Sequence, residues 1–351
     1  MPDRPPADPR PLVLYTDPEG VDLQRPTRLL ERAGLRVVVE EMRDADTLTR
    51  RSAELRPVAL LVTYLPVNDA VLVAADSIGL VSFCSVGFDS IDLAAATRRG
   101  VWVSNVPDAA CEEVACHALA MALGLVRHLT FLDRDVRAGG WSYEATGTPR
   151  RLSELTLGVV GLGRIGSRLA EIASPLFSRV VGHDPLLPQA AFPPGVTPLG
   201  LEDCLAAADV LSLHLPLTAA THNLIDRAAL ARMPAGAYLV NVSRGALVDP
   251  AALVAALDDG RLAGAALDVT DPEPPAADDP VRTHPRIQVT PHAAFHSAQA
   301  LEAYLLSQAK NVIAWARSGV PLTPVNQPHD PMRRLPPKVA TNPEAVDADL
   351  R

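Results

Sequence analysis

The sequence predicts an α/β protein built on doubly wound parallel sheets and divided between two domains. Three observations carry this prediction. The chain has 351 residues, more than the roughly 100–200 that one domain usually takes. Short apolar runs alternate with helix-length amphipathic patterns along most of it, as β/α units do. One such run, LTLGVV from Leu155, leads straight into a glycine-rich turn and then a helical pattern.

The first part of the chain gives five strand candidates: LVLYT from Leu12, LRVVVE from Leu35, PVALLVTY from Pro57, LVSFCS from Leu80 and VWVSN from Val101. They are short and nearly continuous in apolar residues, as strands buried on both faces are. A helix start follows at Pro107-Asp108, with Glu112 and Glu113 where the positive end of the helix dipole favours acids. Its apolar positions run past Leu132, and Gly139-Gly140 ends it. A second series then offers six strands, LTLGVV, RVVGHD from Arg179, DVLSLHLP from Asp209, AYLVNVS from Ala237, AGAALDV from Ala263 and RIQVTPH from Arg286. Six β/α units are the doubly wound number. The pattern SAQALEAYLLSQAKNVIAWARSG from Ser297 reads as a closing helix that stops at Gly319. Residues 1–11 and 327–351 are rich in proline, which removes donors and breaks helices, so both ends are expected to be disordered.

Composition narrows the function. A net charge of −9 argues against nucleic acid or an anionic membrane as partner. No stretch reaches the ~18 apolar residues of a membrane span, and the N-terminus has acids and prolines where a signal peptide needs an apolar core. Cys84, Cys111, Cys116 and Cys204 show no metal-binding spacing and fit reduced thiols, so a cytoplasmic protein without a metal is expected. Lys310 and Lys338 are the only lysines and lie outside any glycine-rich loop. That argues against Schiff-base or P-loop chemistry and leaves arginine as the available cation.

The strongest local signal is GLGRIG, Gly161 to Gly166, set between a strand and a helix. Gly161 would permit the tight turn, Gly163 the approach of a pyrophosphate and Gly166 close packing of helix on strand. The helix N-terminus would supply N–H groups to the phosphates. Eighteen residues after Gly166, at the end of the next strand, stands Asp184. An acid there binds ribose hydroxyls and repels a 2′-phosphate, so NAD is favoured over NADP.

Ligands of open α/β sheets sit beyond the carboxyl ends of the strands. The polar residues at those ends are Arg244 after AYLVNVS, Asp271 and Glu273 after AGAALDV, and His292 after RIQVT. Reduction of a 2-keto acid needs a proton donor, a cation for the carboxylate and carbonyl, and an acid that orients the donor. His292 suits the first role, Arg244 the second and Glu273 the third. Taken one at a time, each has a plainer reading as a loop histidine, a helix cap or a surface charge.

With those residues in place, the chain resembles the D-isomer-specific 2-hydroxyacid dehydrogenases. GFDSID (Gly87 to Asp92), LTLGVVGLGRIG, HLPLTAATHNLID (His214 to Asp226), NVSRGALVD (Asn241 to Asp249), GAALDVTDPEP (Gly264 to Pro274) and TPHAAF (Thr290 to Phe295) carry the resemblance in family order. The ending TPHAAFHSAQAL, the entry PRRLSELTLGVVGLGRIG and PLTPVN look similar to the branch that holds the C-terminal-binding protein corepressors and their bacterial relatives.

The resemblance implies a Rossmann NAD domain, 109–295, inserted into a flavodoxin-like substrate domain formed by 12–108 and 296–326, with the active site in the cleft. It implies Arg244, Glu273 and His292 as catalytic residues. NAD would meet Cys111, Gly161, Gly163, Arg164, Ile165, Gly166, Asp184, Leu215, Pro216, Thr221, Val242, Ser243, Asp268 and His292, with Asp268 near the nicotinamide carboxamide. Substrate would meet Leu65, Ser85, Val86, Gly87, Arg244, His292 and Phe295. A homodimer joined through the NAD domains is also implied.

The chain departs from the family in four places. Cys111 replaces a hydroxyl residue, Phe83-Cys84-Ser85-Val86 lacks a basic residue, Phe295 stands where the animal corepressors have tryptophan, and SPLFSRV (Ser174 to Val180) has a serine where glycine is common. The enzymatic expectation is hydride transfer between a 2-keto acid and a D-2-hydroxy acid. The alternative is an NAD(H)-responsive dimeric interaction protein like the corepressors.

Overall fold

The computed structural model describes residues 8–18 and 20–330. The chain divides into two compact units, one of Met1–Ala109 with Ala298–Arg351 and one of Ala110–Ser297.

The first unit alternates β1 (Leu12–Tyr15), α1 (Gln24–Arg32), β2 (Arg36–Val39), α2 (Ala45–Leu55), β3 (Ala59–Val62), α3 (Asp69–Ala74), β4 (Leu80–Phe83), α4 (Leu93–Arg98) and β5 (Trp102–Ser104). The sheet is parallel in the order β2-β1-β3-β4-β5, the flavodoxin-like arrangement. β1, β3, β4 and β5 are buried at every position, which explains their nearly continuous apolar runs.

The second unit holds α5 (Cys111–Val126), α6 (Leu129–Arg137), β6 (Thr156–Val160), α7 (Arg164–Ala173), β7 (Arg179–His183), β8 (Val196–Pro198), α8 (Leu201–Ala207), β9 (Val210–Leu213), α9 (Arg227–Arg232), β10 (Ala237–Asn241), α10 (Pro250–Asp258), β11 (Leu262–Leu267), α11 (Pro280–Thr283) and β12 (Ile287–Val289). Its parallel sheet runs β12-β11-β10-β9-β6-β7-β8. The order reverses between β6 and β9, and such a switch point is where open α/β sheets bind nucleotides. The last helix, α12 (Ala298–Ser318), belongs to the first unit. Its buried Gln308 donates to the carbonyls of Val62 (3.2 Å) and Ser82 (2.8 Å), tying the helix to β3 and β4.

The sequence expectation needs three corrections. The second sheet has seven strands rather than six. β8 escaped notice because it is three residues long, lies at the sheet edge and ends in Pro198, which only an edge tolerates. The single helix expected from about Ala109 to Gly139 is two helices bent by 61°. His128 between them has φ 54°, and its half-buried ring meets the Tyr238 hydroxyl at 3.1 Å. The expected disordered ends fall mostly outside the described residues, but ordered backbone reaches further at both. Pro11 accepts from the Arg36 amide (2.9 Å), and the His329 amide donates to Thr97 (3.0 Å). Among the described residues, no single helix is long and apolar enough to cross a membrane.

Candidate active site

The glycine turn follows the fully buried β6. Gly161 has φ 90°, and a Cβ there would lie 2.3 Å from the His214 carbonyl oxygen. A Cβ on Gly166 would lie 2.0 Å from the Gly161 carbonyl oxygen, so helix and turn meet where only hydrogen fits. Gly163 is the contrast: a Cβ there would meet nothing within 4 Å. The N-terminus of the ten-residue α7 opens beside that bare surface, with Arg164 exposed at its first position and Ile165 half-buried. This cradle fits a dinucleotide pyrophosphate, which the first turn of a helix and the positive end of its dipole attract.

Asp184 follows β7 and fastens the turn. Its two oxygens accept from the amides of Leu162 and Leu186, each at 2.9 Å, which leaves lone pairs for ribose hydroxyls. His214, noticed in the sequence only as part of HLPLT, packs on the same turn. Its Nε2 meets Ser212 Oγ at 2.8 Å, and burial pushes its pKa down to about 3, so the ring stays neutral beside the cradle. Leu215 is half-buried and Pro216 exposed just beyond. Thr221 is half-buried, and its hydroxyl spans the loop between the Pro216 carbonyl (2.8 Å) and the Thr218 amide (2.7 Å). Val242 is buried, Ser243 Oγ donates to the Leu213 carbonyl (2.8 Å), and Cys111 is the half-buried first residue of α5.

Arg244, Glu273 and His292 come together at the ends of β10, β11 and β12, which are neighbours in the sheet. His292 Nδ1 lies 2.8 Å from Glu273 Oε2. The other carboxylate oxygen, Oε1, accepts from the Thr270 amide at 2.9 Å. Burial works to raise the Glu273 pKa. The His292 hydrogen bond, the Thr270 amide and the charges of His292 and Arg244 outweigh it, and the carboxyl sits below its ordinary value. Arg244 is held from behind by the fully buried Asn241, whose Nδ2 donates to its carbonyl (2.8 Å). The guanidinium Nη1 donates to the Ser243 carbonyl at 2.7 Å. Phe295 stands edge-on to His292, with ring centroids 6.4 Å apart.

Asp268 does more than the sequence suggested. It is 1% exposed. Its Oδ1 accepts from Thr290 Oγ1 (2.5 Å) and the Ala293 amide (2.9 Å), and Oδ2 from the Ala294 amide (2.9 Å). Its carbonyl accepts from the His292 amide at 2.8 Å. One buried acid thus fixes the loop on both sides of His292, whose own φ is 51°. His117 on α5 joins through Thr290 Oγ1 at 3.1 Å. Sequence reasoning missed Thr290, His117, Asn241 and Thr270, which look like ordinary strand-end and helix residues.

In the first unit, Asp17 was also missed. Its buried carboxylate accepts from the amides of Thr63 (2.8 Å), Tyr64 (2.6 Å) and Leu65 (2.9 Å). The Leu65 side chain itself packs in the core rather than lining an open surface. Ser85 Oγ donates to the Gly87 carbonyl (2.5 Å), and the Val86 carbonyl accepts from Asn105 Nδ2 (2.6 Å). Burial, with the charge of Asp17 adding to it, pushes the Cys84 thiol up to about 12, so it is inert at neutral pH. Among the described residues no cluster has the make-up of a metal site.

The family model of the D-isomer specific 2-hydroxyacid dehydrogenase NAD-binding domain matches residues 119–294. A glyoxylate reductase from Korarchaeum cryptofilum is 35% identical over 303 residues, covering 83% of this chain and 86% of its own. A D-3-phosphoglycerate dehydrogenase from Mycobacterium tuberculosis is 41% identical over 245 residues, covering 69% of this chain. The match spans 46% of that longer relative. Among solved structures, D-lactate dehydrogenase from Aquifex aeolicus, complexed with NAD and lactic acid, has a TM-score of 0.80. It is 28% identical and covers 90% of this chain and all of its own.

Proposed function

Because the chain belongs to the D-isomer specific 2-hydroxyacid dehydrogenase family, with its NAD-binding domain, we propose that it interconverts a small 2-keto acid and the D-2-hydroxy acid, with His292, Glu273 and Arg244 as the catalytic set. The observation that carries this reading is the 2.8 Å bond between His292 Nδ1 and Glu273 Oε2 at the ends of neighbouring strands. Held at the glycine turn and Asp184, NADH would supply the hydride for the keto carbon, and NAD would accept it in reverse. The carboxylate accepts the Nδ1–H hydrogen bond and so orients the ring, which leaves Nε2 to give a proton to the substrate oxygen or take it back. Glu273 then stabilises the imidazolium when the proton is on the ring. Arg244 offers forked donors to the substrate carboxylate and the carbonyl oxygen, where negative charge develops.

The charge balance suits an anion. Arg244 sets a guanidinium at these strand ends within a chain of net charge −9. Gly161, Gly163 and Gly166 would hold the pyrophosphate and Asp184 the adenosine ribose, which favours NAD over NADP. In the first unit, the turn at Ser85, Val86 and Gly87 is proposed to meet a carboxylate through its backbone. The relatives named for glyoxylate, lactate and 3-phosphoglycerate support a small 2-keto acid.

A homodimer is supported by the exposed apolar residues Leu129, Phe131 and Val136 on α6 and by Trp141 and Tyr143 just after it, both more than four-fifths exposed. Four free thiols support a reducing, cytoplasmic setting.

A panel of 2-keto acids, including glyoxylate, hydroxypyruvate and pyruvate, tests the proposal through consumption of NADH. His292→Ala should lower turnover about 10²–10⁴-fold and leave NADH binding, read by fluorescence, within about threefold. Consumption of NADH with no member of the panel, or full activity in the variant, would overturn it.

A further inference from the structure

We infer that the backbone contact between Gly245 and Thr270 is what positions Glu273, and through it His292, against Arg244; the inference rests on the catalytic reading of those three residues. Gly245 directly follows Arg244 and begins a short 3-10 turn, Gly245–Leu247. A Cβ on Gly245 would lie 2.1 Å from the Thr270 carbonyl carbon, 2.3 Å from its oxygen and 2.6 Å from the Asp271 nitrogen. All three are backbone atoms, so no side chain can swing aside to make room.

The other side of the contact leads to the acid. The Thr270 amide holds Glu273 Oε1 at 2.9 Å, and Thr270 Oγ1 donates to the Pro272 carbonyl at 2.9 Å. Glu273 in turn holds His292. Behind Arg244, buried Asn241 fixes the strand side through the Arg244 carbonyl. Arg244 and Glu273 therefore belong to two separately braced segments, and these meet backbone to backbone at Gly245.

The turn side of the junction is also held, by the Asn223 amide on the Ala246 carbonyl (2.8 Å) and the Ile225 amide on the Leu247 carbonyl (3.0 Å). A cavity of about 220 Å³ borders Gly245, Thr270 and Asp271, floored by Leu253, Leu267 and Val281. Side chains leave space open beside the Thr270–Asp271 segment, so the backbone contact limits how closely that segment approaches the turn. The same space lets the Thr270–Asp271 segment yield when it is pushed, so a small side chain at 245 should displace the loop rather than unfold the unit. Restoring ordinary van der Waals separation requires a shift of about 1 Å or more, and misplacement by that much costs catalysis on the order of 10²-fold.

The test uses the full-length protein and the keto acid that gives turnover. Gly245→Ala should lower kcat about 100-fold while the NADH dissociation constant stays within about threefold. In a Glu273→Gln background the same change should cost less than about fivefold, because the group it positions is already disabled. Thr270→Val should lower kcat several-fold, and Thr270→Ser should restore it. Gly245→Ala with near-normal kcat, or an undiminished loss in the Glu273→Gln background, overturns the inference. If Gly245→Ala does not fold, the Thr270 pair decides: wild-type kcat in Thr270→Val overturns it. If the wild type reduces no keto acid, the catalytic reading fails first, and the contact is read by NMR. Loss of the downfield His292 Nδ1–H signal in Gly245→Ala then upholds the positioning role, and its persistence refutes it.

Discussion

Replacing Asp268 by asparagine separates two roles for this buried acid. In the structure its carboxylate meets three donors, Thr290 Oγ1 and the amides of Ala293 and Ala294. Asparagine can keep an oxygen in the Oδ1 position, facing Thr290 and Ala293. Its NH₂ group then points at the Ala294 N–H, donor against donor. One charge-assisted bond is lost and a buried amide is left without an acceptor, a cost of about 2–4 kcal/mol. For a unit of this size that lowers Tm by roughly 5–15 °C. Because the same donors fix both flanks of His292, kcat should fall with Tm. Thermal unfolding by circular dichroism gives the first quantity, steady-state turnover the second and NADH fluorescence titration a third. A variant with unchanged Tm and kcat but NADH binding tenfold weaker would refute the anchoring argument and assign Asp268 to the cofactor.

Other outcomes follow from the same geometry. The lowered Glu273 pKa means that its pairing stabilises the protein above the ordinary glutamate value of 4.5 and is lost as pH falls through the lower folded value. The stability gap between wild type and Glu273→Gln in urea unfolding should be level near neutral pH, at most about 1 kcal/mol for so exposed a pair, and should close on acidification. A gap that widens in acid would show the sign to be wrong. Gly163→Ala should leave Tm unchanged yet weaken NADH binding, since the added methyl occupies only open surface. Gly166→Ala should instead destabilise by about 1–3 kcal/mol or more, because its Cβ strikes the Gly161 carbonyl; equal Tm values for the two variants would contradict this. Asp184→Ala should narrow the preference for NADH over NADPH in kcat/KM. An unchanged ratio would mean that the carboxylate serves only the Leu162 and Leu186 amides.

The amino-acid order made much of the scaffold legible because its signals are local. Strands buried on both faces are nearly continuous in apolar residues, so β1, β3, β4 and β5 of the first sheet stood out, as did the long ones of the second, and the part-exposed β2 showed through its run of valines. The turn at Gly161 was legible for a similar reason, since its backbone needs φ 90° and the sequence places glycine there. Arg244, Glu273 and His292 were found through a topological rule about strand ends, which needs only the positions of the strands. The rule could not show that the three meet. β8 and the break at His128 lay beyond that reach, because an edge pairing with β7 and a left-handed residue leave little trace in composition.

What the sequence determined by itself, then, is the alternation of elements, the glycine turn and the chemical types at the strand ends, all of them set by a few neighbouring residues. The tertiary structure alone decided how those types are held. Asp268 reaches donors 22 to 26 positions away, and Gly245 must be bare because Thr270, 25 residues on, lies against it. Contacts of that kind follow from how strands line up in the sheet, and a buried carboxylate or a crowded glycine shows its purpose only when the atoms that surround it are in place.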